Sequence, residues 1–159
     1  MRYLVLFVCT MFAMFLIVSC GEDDEEEAPT TGTVSGTVTF MGAPPEGDII
    51  VRVSVFSVVD EMGRPTGPPD HYSEPFTELA GQVTYKISGV SFGEYKLAAV
   101  GLEFADSPAG TAQTVLGAYG MAPPADMQAD PLTVSEDQPD VLGIDIIADY
   151  AAAQQSEHQ

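Results

Sequence analysis

The chain predicts an all-β sandwich of about seven strands, and three observations carry that expectation. From Thr33 to Tyr150, no window holds apolar residues at helical spacing over the ten or so positions a helix needs, whereas alternate-residue patterns recur. The alternating runs are rich in Val, Ile, Thr and Tyr and are separated by Gly- and Pro-bearing stretches. The body between these limits has the length of one sandwich of about 100 residues, so a second domain does not fit.

Taken in order, Thr33 to Phe40 places Val34, Gly36, Val38 and Phe40 on one face and Thr33, Ser35, Thr37 and Thr39 on the other, a half-buried strand. A turn with Gly42, Pro44, Pro45 and Gly47 leads into Ile49 to Val59, where Val51, Val53 and Val55 alternate with Arg52 and Ser54 as a central strand. Pro65, Pro68, Pro69 and Pro75 lack the amide donor a ladder requires, so Gly63 to Pro75 reads as a loop. Val83, Tyr85 and Ile87 mark the next strand, and Tyr95, Leu97 and Ala99 another, with Gly89 and Gly93 bracketing a tight connection. Thr114 to Tyr119 and Leu132 to Val134 read as short strands. Val141 to Ala148 closes the domain with Leu142, Ile144 and Ile146 inward. The stretch from Glu103 to Pro131 is dense in Ala, Gly and Pro, either a binding loop or a poorly ordered insertion. Ala151 to Gln159 reads as a disordered tail.

Val34-Ser35-Gly36-Thr37-Val38, followed by Tyr85-x-Ile87-x-Gly89-Val90-x-x-Gly93-x-Tyr95-x-Leu97, resembles the carboxypeptidase regulatory-like, or transthyretin-like, module. That resemblance covers Val34 to Val100 and implies an immunoglobulin-like β-sandwich. It implies nothing about activity, because one fold hosts many functions.

Ahead of the body, Arg2 precedes an apolar run from Tyr3 to Val18, the layout of an export signal over residues 1–19. The run is short of the roughly 20 residues that span a bilayer. An ordinary secretory signal or an uncleaved helix remains open, although a cut after Ser19 would leave the bulky Ile17 at −3. Ile17-Val18-Ser19-Cys20-Gly21 resembles the lipobox of bacterial lipoproteins, which implies cleavage before Cys20 and lipid attachment on it, with the membrane as a partner through that anchor. Residues 20–32 read as the lipidated cysteine and an acidic flexible linker, because the six adjacent acids Glu22 to Glu27 repel one another. Stretched, that linker reaches roughly 40 Å. Acids directly behind the cysteine also resemble surface-export signals of some Bacteroidetes lipoproteins, and Gly21 resembles lipoproteins released to the outer membrane. The expected location is the cell envelope, at the periplasmic face of the outer membrane or on the cell surface.

Lys+Arg number 5 against 24 Asp+Glu, a net charge of −19, and loss of residues 1–19 removes only Arg2 from this balance. Nucleic acid, which needs cations against its phosphates, is excluded as a partner. An anionic membrane surface would also repel the body, so attachment falls to the lipid. The two cysteines are Cys9, inside the leader, and Cys20, so the sandwich holds neither a disulfide nor a thiolate metal site.

Catalytic signatures are absent: the only histidines are His71, in the Pro-rich stretch, and His158, in the tail, and no phosphate loop, zinc helix or dinucleotide turn occurs. The expectation is a non-catalytic protein without a catalytic site, a resident metal or a cofactor. Calcium is the one chemical alternative. Its candidate ligands are Asp126, Asp130, Glu136, Asp137 and Asp140, without the spacing of a calcium loop. Tyr72, Tyr119 and Phe104 fall in expected loops, where aromatic rings either stack on sugars or pack inward. The sequence thus predicts a binding or structural module for protein or glycan partners. The alternatives are an accessory lipoprotein of an outer-membrane transport complex, since similar sandwiches precede TonB-dependent channels, and a calcium-binding adhesion module.

Overall fold

A computed structural model of the chain describes residues 30–106, 113–121 and 128–152. The leader, Cys20 and its acidic run, together with Asp126 and His158, lie outside the described residues. Among the described residues ten strands form: β1 (Thr31–Met41), β2 (Ile49–Phe56), β3 (His71–Tyr72), β4 (Gly81–Ser91), β5 (Gly93–Tyr95), β6 (Leu97–Phe104), β7 (Thr114–Ala118), β8 (Leu132–Val134), β9 (Asp140–Val141) and β10 (Ile146–Asp149). They make an all-β sandwich. One sheet runs β10-β1-β4 with β9 also on β1, the other runs β3-β2-β6-β7, and β5 pairs with β8 in a small third sheet. We call the two large layers the β1 sheet and the β2 sheet.

The alternation read from sequence becomes the inner faces. Val34, Val38 and Phe40 from β1 and Tyr85 and Ile87 from β4 meet Val51, Val53 and Val55 from β2 and Ala98, Val100 and Leu102 from β6. Burying each Val, Ile or Leu contributes roughly 1.5–3 kcal/mol, and with no cysteine in the described residues this core must hold the fold. One end is closed by rings: Phe40 stacks on Tyr150 at 5.6 Å and meets Phe76 edge-on at 5.6 Å, while the Tyr150 hydroxyl donates to the Leu79 carbonyl at 3.1 Å.

Gly36 faces the core without a side chain, and its cross-strand partner is Tyr85. The missing side chain lets the Ile144 carbonyl come so close that a Cβ at Gly36 would collide with it. The Tyr85 hydroxyl donates to that same carbonyl at 2.7 Å. Burial first, then the nearby Asp145 carboxylate and Tyr119, push the Tyr85 hydroxyl well above the usual tyrosine range.

Four expectations are corrected. The closing strand is two strands, because Gly143 at φ +75° breaks it and shifts the inward parity: Val141, Ile144, Ile146 and Ala148 are buried, while Leu142 is 71% exposed. The strand expected through Tyr95, Leu97 and Ala99 is divided between β5 and β6, and Leu97 to Leu102 are all buried. Alternation fails there because β6 is covered on both faces. The Pro-rich stretch is not loop throughout: Asp70, Ser73 and Phe76 donate their amides to the Val55, Val53 and Val51 carbonyls, so it runs along the open edge of β2 and forms β3 within it. Finally, β1 starts at Thr31, before Thr33.

Candidate binding surface

The site is built on the outer face of the β2 sheet. Residues of β2 and β6 that do not enter the core must point away from it: Ile50, Arg52, Ser54 and Phe56 on β2, and Leu97, Ala99, Gly101 and Glu103 opposite them. One half of this face is apolar and closed. Phe56, Leu97, Ala99 and Ala118 form a second buried cluster, packed against Val59, Val115, Met121 and Ala129.

The other half is polar, and only Tyr72 in it is well exposed. The Arg52 guanidinium donates to Glu103 Oε1 at 2.7 Å, and Gln113 Nε2 donates to Glu103 Oε2 at 3.3 Å. Gly101 lies opposite Arg52 on one side and Val115 on the other. A side chain there would strike the Gln113 carboxamide, so the glycine is the floor across which Gln113 reaches Glu103. The guanidinium carbon also lies 5.0 Å from the centroid of the Tyr72 ring. Arg52 and Glu103 side chains are 19% and 27% exposed, so this ion pair is shielded more than a surface pair and is fixed by its neighbours.

Tyr72 is held from both sides. Before it, Asp70 accepts from the Ser57 amide at 2.5 Å and the Ser57 hydroxyl at 3.1 Å. After it, the Ser73 hydroxyl accepts from the Val53 amide at 3.1 Å and donates to the Glu74 carbonyl at 2.9 Å. Between these ties Tyr72 pairs with Ser54 in β2 and stays 57% exposed. A large ring is thus presented to solvent on regular backbone rather than on a free loop. On the neighbouring strand β2, two buried polar atoms, Ser54 Oγ and Arg52 Nε, have no hydrogen-bond partner. Each such atom costs about 1–3 kcal/mol.

The remaining candidates from sequence separate. Phe104 ends β6 and Tyr119 follows β7, both half-buried against the core, so Tyr72 is the one of the three rings that stays open. His71 is not a free loop residue. Its Nε2 accepts from the Ser91 amide at 3.2 Å and its ring meets Tyr95 edge-on, joining the two sheets. Tyr95 in turn donates to the Ser91 carbonyl at 2.8 Å. Of the calcium candidates, Asp140 accepts from the Thr33 hydroxyl and Asp130 packs beside Gly120. Among the described residues, no three His, Cys, Asp or Glu side chains converge as a metal site. An open depression carries the carboxylates Glu46, Asp48 and Asp106 around Phe104, with no Lys or Arg among its described lining residues.

Sequence reasoning missed Arg52, Glu103 and Gln113. The available signal was a cation at an outward position of a central strand in a chain with only 5 Lys+Arg. Such a residue needs a cross-strand acid, but which acid depends on a pairing that sequence does not give. No family model matches the chain, and no curated protein or solved structure matches it either.

Proposed function

We propose that the chain is a non-catalytic lipoprotein of the bacterial cell envelope, anchored through Cys20, whose sandwich binds a protein or glycan partner with the Tyr72 face of the β2 sheet. The anchor rests on the apolar leader ending in Ile17-Val18-Ser19-Cys20, and diacyl attachment plus an amide-linked chain would hold essentially permanently. The binding role rests on one observation: Tyr72 is an exposed ring locked by backbone ties and by a shielded Arg52–Glu103 pair. Rigid aromatic and Arg groups lose little entropy on binding, which is why such groups dominate recognition surfaces.

Two experiments test this. Mass spectrometry of the membrane-held protein should find acyl chains on Cys20, and Cys20→Ser should release the chain from the lipid phase. An unmodified Cys20 contradicts the anchor. Envelope material captured by the wild-type chain should be lost with Tyr72→Ala; unchanged capture would remove this face from the reading. A stoichiometric outer-membrane channel in the captured material would favour the transport-accessory role instead.

A further inference from the structure

We infer that the Tyr72 platform takes an uncharged saccharide, with one sugar ring on the tyrosine. This rests on the reading of that face as the binding surface and names the ligand class it fits.

The size of the open area comes first. A protein partner ordinarily covers about 800 Å² per side with an apolar centre. Here the apolar half of the face is already filled by Phe56, Leu97, Ala99 and Ala118 under Met121 and Ala129. Beside it the Tyr72 ring stays exposed, bordered by three planar polar side chains, Arg52, Glu103 and Gln113. One ring with a polar border suits a sugar ring better than the apolar centre of a protein interface.

Chemistry comes second. A pyranose has a face of C–H bonds that packs on an aromatic ring and a rim of hydroxyls that both donate and accept. Carboxylate, carboxamide and guanidinium groups, held together by their own hydrogen bonds, match that rim. The Ser54 hydroxyl, 1% exposed and without a partner, lies directly across from Tyr72, an uncompensated polar group at the base of the platform.

Charge comes third. Arg52 is already neutralised by Glu103, and the chain carries a net charge of −19, so anionic polysaccharides are repelled while neutral ones are not.

The test is affinity electrophoresis of the full chain in detergent through gels containing a neutral α-glucan, β-glucan, mannan or galactan, with a polyuronate as the anionic probe. At least one neutral glycan should retard the wild type. Loss of one stacked ring corresponds to about a ten-fold weaker affinity for Tyr72→Ala. Tyr72→Phe, which keeps the ring, should bind within about two-fold of the wild type. Gln113→Ala gives a second, independent loss if Tyr72→Ala proves unfolded by circular dichroism.

Retardation by no neutral glycan, by the polyuronate alone, or equally in Tyr72→Ala and Gln113→Ala overturns the saccharide. If no glycan binds but Tyr72→Ala still abolishes capture of an envelope protein, the saccharide fails while the binding reading of the face stands. If Tyr72→Ala changes neither, both fail.

Discussion

The outer faces of the two large sheets differ sharply although their inner faces share one core. On the β1 sheet, outward positions of β1 and β4 are Thr33, Ser35, Thr37 and Thr39 beside Gln82, Thr84, Lys86 and Ser88, a hydroxyl-rich surface facing water. On the β2 sheet, Phe56, Leu97 and Ala99 build a second apolar cluster with Ala118, and Arg52, Glu103 and Gln113 build a tied polar network beside Tyr72. Solvation alone accounts for the β1 and β4 positions, Ile147 of β10 beside Thr39 being the exposed apolar exception. The β2 face places a cation, a carboxylate and a carboxamide in one arrangement and leaves a buried hydroxyl unmatched, which folding by itself does not require.

That contrast sets an order of expected effects. The largest belongs to the shared core. Gly36→Val forces a side chain into the Ile144 carbonyl and displaces the Tyr85 hydroxyl bond, so chemical denaturation should show a loss of about 3 kcal/mol or more. Next, Leu97→Ala should cost about 2–4 kcal/mol although Leu97 lies on an outer face, because that half of the β2 sheet is closed. Thr84→Ala, on the open β1 sheet, should change stability by less than about 0.5 kcal/mol. Equal losses at the two positions would erase the distinction.

Tyr85→Phe should cost about 1 kcal/mol at neutral pH through the lost hydrogen bond. Its pH dependence has a definite sign. The folded hydroxyl titrates above the unfolded one, so its contribution is complete below the ordinary tyrosine value of about 10 and is lost as pH rises from there through the folded value. The stability gap between wild type and Tyr85→Phe should therefore narrow on the alkaline side of that value and stay constant below it. Ser54→Ala is expected to act in the opposite direction from the core substitutions. It removes a hydroxyl with no partner and should be neutral or stabilising, by up to about 1 kcal/mol.

Much of the inner architecture was legible because period-2 patterning survives wherever only one face is buried. β1 and β4 show this: Val34, Val38 and Phe40, and Tyr85 and Ile87, were read inward and are inward. β6 was less legible, since burial on both faces replaces alternation with a continuous apolar run from Leu97 to Leu102. The parity change at Gly143 was hidden for a different reason. A glycine gives no hydropathy signal when it turns the chain, so Leu142 was placed inward and stands in solvent. The platform was legible only in part. Tyr72 stood out as an aromatic among prolines, but the prolines concealed that its segment is tied along β2. Arg52 lies 51 residues from Glu103, and Glu103 is on β6 while Gln113 immediately precedes β7, so the three become neighbours only through the β2–β6–β7 register. Cys20, singled out by its motif alone, lies outside the described residues.

The central claim, that the Tyr72 face rather than the β1 sheet engages the partner, is tested most directly with the proposed anchor removed. In a Cys20→Ser background, co-sedimentation with envelope fragments should persist for Thr84→Ala and fall to background for Tyr72→Ala, with both variants melting as folded proteins. Loss in Thr84→Ala with retention in Tyr72→Ala, or identical behaviour of the two, would contradict the account.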